Sequence, residues 1–132
     1  NVDYEEINVA PDFETWLNEW KGKMPFGQAP LLQDGDLELA QSMAILRHLS
    51  RKVGRSGASI EDRAKLDMIT DHVEDIRSGY VKMIYTNYED GKEDYIKALG
   101  DKLKPLDTLL QKWGDDYITK SIAYADYNQF RP

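Results

Sequence analysis

The chain has 132 residues, with 24 acidic against 17 basic side chains, a formal net charge of -7 and no cysteine. Its acidic balance disfavours sequence-independent nucleic-acid binding and docking on an anionic membrane, both of which draw affinity from Lys and Arg. Without cysteine, a disulfide scaffold, a zinc finger and a redox-active Cys-x-x-Cys are excluded on these residues, and any thiol chemistry must use a borrowed thiol.

The first eighteen residues, Asn1 to Asn18, carry acids throughout and lack a basic region followed by an apolar block, so no signal peptide is visible and a cytoplasmic location is expected. No apolar run approaches the ~18 residues of a transmembrane helix. Val2 to Val9 alternate loosely and are rich in Val, Ile and Tyr, which predicts one strand before the break at Pro11-Asp12. Phe13, Trp16, Leu17 and Trp20 then recur at helical spacing after Asp12, a candidate N-cap, in a segment short enough to predict an irregular helix.

Two short apolar runs between Pro30 and Leu39 meet through Asp34-Gly35, the kind of dipeptide that tolerates the positive φ of a tight turn, and predict an antiparallel hairpin. Ser42 stands at an N-cap position ahead of Ala44, Ile45, Leu46, Leu49 and Val53, whose spacing gives a helix one buried face and an end near Gly54. Arg55 to Ala58 reads as a linker, dividing a mixed α/β lobe over residues 1–54 from a helical lobe over residues 59–132. Ser59-Ile60-Glu61-Asp62 resembles a capping box opening a long helix through Ile84. A second helix is expected from about Lys92 to Trp113, bent near Gly100 and Pro105, and a third begins within Ile122 to Tyr127.

Two segments carry chemistry. The proline of Gly27-Gln28-Ala29-Pro30 is a candidate cis peptide, and the bend presents the Ala29 backbone outward, where an extended peptide can pair by strand addition. Gln41 and Ser42 open a helix, where unpaired N–H groups and the helix dipole favour a carboxylate. Taken singly, the first is more often a plain turn and the second a plain cap; their conjunction favours a site.

The run Gln41-Ser42-Met43-Ala44-Ile45-Leu46-Arg47-His48-Leu49 after that turn and hairpin resembles the glutathione S-transferase pattern. Val73 to Arg77, Ile84 to Tyr88, Tyr95 to Leu99, Leu103 to Leu106 and Ala125 to Asn128 are similar to its pi class in particular. The resemblance implies a thioredoxin-like lobe lacking its first strand and helix, followed by an all-α lobe, with glutathione conjugated to hydrophobic electrophiles in a cytosolic homodimer. It implies glutathione contacts from Gln28, Ala29, Pro30, Gln41 and Ser42, with Trp16 and Lys21 holding the glycine end. Asp75 would reach the ammonium group of a partner's glutathione, Tyr85 would line the electrophile pocket, and Phe26 would insert between helices of the other subunit. Glutathione enters as co-substrate, with no cofactor.

Several departures accompany the likeness. The spacing from Trp16 to Lys21 is one residue shorter than in the family, and Ala123 stands where the family has a Ser or Thr cap, so that cap is expected to be absent or moved to Ser121. The family's thiol-activating Tyr falls on an earlier strand than these residues cover, and Tyr4, within the segment read as a second strand, does not replace it. Hence a non-catalytic glutathione-binding or structural member of the fold is the alternative, with a thioredoxin-like oxidoreductase a distant third for want of cysteine. His48 and His72 lack a Ser or Cys partner at hydrolase spacing and read as structural, and no metal set is present.

Overall fold

In the computed structural model, which describes residues 3–113 and 117–129, the chain divides into two units, Asn1–Leu49 and Ser50–Pro132. The first opens with an extended stretch: residues 3–9 form no strand, and the sheet holds β1 and β2 alone among the described residues. This corrects the expected strand at Val2 to Val9. Alternation alone does not make a strand, because its backbone N–H and C=O groups need a neighbouring ladder. Here Tyr4 and Ile7 remain 82% and 58% exposed.

Helix α1 (Phe13–Thr15) starts at Asp12, whose carboxylate accepts from the Thr15 amide and the Thr15 hydroxyl, each at 2.8 Å. It passes into a π turn at Trp16–Trp20 and a 3-10 turn at Lys21–Lys23, the irregular helix expected of so short a segment. Strands β1 (Leu31–Asp34) and β2 (Leu37–Ala40) pair antiparallel, with Leu31 opposite Ala40 and Asp34 opposite Leu37. The connecting residues are therefore Gly35 and Asp36, one position later than the Asp-Gly reading implied. Gly35 carries the positive φ of 62°, as a type II′ turn requires at its first central position.

Helix α2 (Ser42–Lys52) follows at once. Its first hydrogen bond runs from the Ile45 amide to the Gln41 carbonyl at 3.0 Å, so Gln41, not Ser42, occupies the capping position. The helix closes through Gly54 at φ 69°, with the Arg55 amide donating to the Ser50 carbonyl at 2.7 Å.

The second unit is helical. Helix α3 (Ile60–Thr86) opens with the expected capping box between Ser59 and Asp62. Its core face buries Leu66 and Ile69 completely, each contributing roughly 1.5–3 kcal/mol relative to exposure. Helix α4 (Tyr88–Trp113) begins four residues earlier than the spacing suggested and runs through Pro105. A single residue, Asn87, separates the two helices, and its carbonyl accepts from the Gly91 amide. A Cβ at Gly91 would lie 2.9 Å from the terminal amide nitrogen of Asn87, so a side chain there would displace that group.

Along the α3 and α4 contact, the Tyr95 hydroxyl donates to the Ile76 carbonyl at 3.0 Å and His72 Nε2 lies 3.1 Å from the Lys102 carbonyl. Burial raises the Tyr95 phenol above its ordinary range, with the Tyr80 hydroxyl adding to the effect. Helix α5 (Tyr124–Gln129) is held by buried Asp126, whose carboxylate accepts from the Ile118 and Ala123 amides at 3.0 and 2.7 Å. Asp126 thus supplies the reciprocal half of a capping box, to the Ala123 amide, while Ala123 itself offers no side-chain oxygen to the amides of the first turn. The Tyr124 hydroxyl, 2.7 Å from Asp67, ties this tail to α3.

Two glycines separate the steric from the entropic cost of a side chain. Gly57 has φ 82°, and a Cβ there would meet Asp62 Cβ at 2.8 Å, whereas nothing lies within 4 Å of one at Gly100 inside α4. Gly57→Ala is expected to destabilise the protein by more than about 1 kcal/mol. Gly100→Ala should stabilise it by roughly 0.5–1 kcal/mol. Urea denaturation of both variants checks the opposite signs.

Candidate functional site

The register of the hairpin decides which residues meet. With Leu31 opposite Ala40, Pro30 and Gln41 flank the open end of the ladder, followed outward by Ala29 and Ser42. The turn and the helix start, separate motifs in the sequence, therefore share one end of one hairpin. All five residues from Gln28 to Pro30 and from Gln41 to Ser42 are exposed, and the Ala29-Pro30 peptide is cis.

Gln41 has φ 73°, the left-handed region that side chains other than Gly, Asn and Asp seldom adopt. This conformation turns the chain from β2 directly into α2. It leaves the first amides of that helix beside the Ala29 bend, an arrangement suited to a carboxylate. Sequence reading gives no sign of it, since Gln is not a residue type that advertises positive φ.

Trp16 and Lys21 are joined by the π turn: the Lys21 amide donates to the Trp16 carbonyl, five residues back. The shortened spacing is thus spanned by a single wide turn, a local form often found at functional sites. The Lys21 side chain then runs along the next bend, where a Cβ on Gly27 would lie 3.6 Å from Lys21 Cε and 3.7 Å from its Cγ. Gly27, at φ 60°, is favoured by this backbone conformation, and the stem passes at ordinary contact distance from where its Cβ would lie. Lys23 instead lies over the Trp20 ring, 4.6 Å from its centroid. Phe26, in the same bend, is 65% exposed.

At the closed end of the hairpin, His48 Nε2 on α2 lies 2.8 Å from the Asp34 carboxylate on β1. The histidine has the structural role assigned to it, although sequence distance concealed its partner. In the second unit, Asp75 and Tyr85 are both exposed on α3, Tyr85 at 84%. Neighbouring Glu74 pairs with Arg77, whose guanidinium hydrogen bond holds the Glu74 carboxyl below its ordinary range. No cluster of His, Cys, Asp or Glu among the described residues can hold a metal ion, and no described helix is long and apolar enough to cross a membrane.

Comparison with known proteins follows the same lines. Residues 1–51 match the family model for the glutathione S-transferase N-terminal domain. Glutathione S-transferase P of Bos taurus is 51% identical over 119 residues, covering 87% of this chain and 57% of that protein. The chain thus spans little more than half the length of the curated relatives it matches. The pi-class glutathione S-transferase of Onchocerca volvulus superposes with a TM-score of 0.78 at 39% identity, over 83% of this chain and 55% of that one. Monomeric Na-GST-3, a glutathione S-transferase of Necator americanus, gives 0.81 at 26% identity, over 96% and 64%.

The entry into the Trp16 turn depends on an ionised cap. Hydrogen bonds from Thr15, the backbone amide first, hold the Asp12 carboxyl below its ordinary range. A lowered folded value means that the contribution is complete above the unfolded value and is lost as pH falls through the folded one. NMR titration should therefore show the Thr15 amide resonance moving with an Asp12 midpoint below that of an unfolded carboxyl. A Thr15 resonance unresponsive through this acid range would contradict the cap.

Proposed function

The chain belongs to the glutathione S-transferase family, and on that premise we propose that it binds reduced glutathione for conjugation to hydrophobic electrophiles. In this reading the cysteinyl backbone of the tripeptide pairs with Ala29 beside Gln28 and Pro30, as a one-residue strand addition. The γ-glutamyl carboxylate lies against the amides and side chains of Gln41 and Ser42. Lys21, with the Trp16 indole, receives the glycine carboxylate. The observation that carries the reading is the hairpin register, with Leu31 opposite Ala40, which brings the Ala29-Pro30 bend and the Gln41-Ser42 helix start to one end of the ladder.

Conjugation joins the glutathione sulfur to an electrophilic carbon, and the thiol proton leaves before or during attack. A free thiol titrates near ~8.5, so the thiolate needs a donor or positive field. No residue of this chain is assigned that role; the residues named supply binding and orientation. Asp75 is proposed to meet the ammonium group of glutathione in a second subunit, Tyr85 to line the electrophile pocket, and Phe26 to anchor a homodimer. Burying the Phe26 ring would contribute on the order of 1.5–3 kcal/mol. A cytoplasmic setting, with glutathione as co-substrate and no cofactor, completes the proposal. Binding without conjugation is the second reading, since the residues named here supply binding and orientation alone. Retention on immobilised glutathione together with a flat chromogenic conjugation assay would select it.

The positive φ of Gln41 gives a test that separates stability from binding. Gln41→Gly removes the cost of a left-handed side chain, roughly 1–3 kcal/mol, offset by the greater backbone freedom of Gly in the unfolded chain. It also removes the side chain assigned to the γ-glutamyl group. The variant should therefore keep or raise its urea midpoint while binding reduced glutathione more weakly by calorimetry. Unchanged affinity would remove Gln41 from the site, and absence of heat with the unsubstituted protein would overturn the binding proposal.

A further inference from the structure

The chain contains two Asp-Gly dipeptides, Asp34-Gly35 and Asp90-Gly91, and the fold places them in opposite settings. Asp34 is the last residue of β1, and Gly35 is the first residue of the two-residue turn, exposed at φ 62°, with nothing within 4 Å of the place a Cβ would occupy. Asp90 and Gly91 lie in the first turn of α4. The Gly91 amide donates to the Asn87 carbonyl at 2.9 Å, and the space around its Cα is closed by Asn87 and Met83.

An aspartyl residue followed by glycine can cyclise, because no side chain on the following residue obstructs approach of its amide nitrogen to the carboxyl carbon. From these settings we propose that Asp34-Gly35 is a site of spontaneous aspartyl isomerisation, restrained by His48, and that the helix protects Asp90-Gly91. The Gly35 nitrogen attacks Asp34 Cγ and forms an N–Cγ bond. The amide hydrogen and a carboxyl oxygen depart, with a proton from solvent, as one water. Water then adds to either carbonyl of the succinimide. Addition at Cγ breaks the new bond and restores Asp34; addition at the backbone carbonyl breaks the original peptide bond and leaves Gly35 attached through Cγ, an isoaspartyl linkage. Water is the only co-reactant, and nothing is oxidised or reduced.

Reaction requires the carboxyl group to swing from its present partner onto the following amide. In the folded protein Asp34 Oδ2 lies 2.8 Å from His48 Nε2, so that motion breaks a link between β1 and α2. The product adds one carbon to the backbone at the hairpin turn and relocates the free carboxylate, separating it from His48. Isomerisation at this turn therefore acts on the packing of the hairpin against the same helix whose other end carries Gln41 and Ser42.

Ageing of the intact chain in neutral buffer, followed by peptide mapping with an Asp-specific protease and fragmentation that distinguishes isoaspartate, tests the proposal. Isoaspartate is expected to accumulate at residue 34 while residue 90 remains aspartate. Asp34→Ser should abolish it. His48→Phe should raise the rate at residue 34 about fivefold, as loss of one hydrogen bond implies, with residue 90 unchanged as an internal gauge of folding. Absence of isoaspartate at residue 34, or equal conversion at both dipeptides in the unsubstituted chain, overturns the site whether or not the variant folds. An unaltered rate in a folded His48→Phe protein overturns the restraint.

Discussion

The pairing of Leu31 with Ala40 is the constraint on which the candidate site depends. A ladder fixes the relative position of everything that enters and leaves it, and a slip of one residue would turn the side chains of a strand to the opposite face. Here the ladder is only four residues long on each side, so its ends matter as much as its length. At one end a two-residue turn and the contact between Asp34 and His48 hold the register. At the other, the left-handed Gln41 converts strand into helix without an intervening loop. The hairpin thus acts as a short bracket between an exposed bend and a helix start.

The electrostatics follow from that bracket. A chain of net charge -7 does not attract an acidic tripeptide by its overall field, so any such affinity must come from local groups. The first amides of α2 provide a partial positive charge of fixed direction, and Lys21 provides a full one on a stem laid against Gly27. The π turn brings Trp16 into the same segment as that lysine. These are short-range devices, effective over the few ångströms in which screening by salt is weak.

Much of this was legible in the residues because the informative signals were local. Asp12, Ser59 and Gly54 announced helix ends through cap chemistry, and the hairpin announced itself through two apolar runs around a glycine. What escaped was set by partners distant in sequence or by backbone choices that composition does not encode. The alternation at Val2 to Val9 looked like a strand, yet strand formation is a property of a pair. The spacing of apolar residues placed the start of α4 near Lys92, whereas a single residue, Asn87, separates it from α3 and the helix begins at Tyr88. Ala123 looked like a lost cap, while Asp126 already served its amide. The two segments of the candidate site were visible separately; their adjacency became a physical statement only with the register.

The most direct test of the account is an NMR titration of the isotopically labelled chain with reduced glutathione. The account predicts that the amide resonances of Ala29, Gln41 and Ser42 shift together along one saturation curve, with Lys21 following the same curve. Shifts confined to one side of the bracket, scattered over α3 and α4, or absent at saturating tripeptide would contradict it.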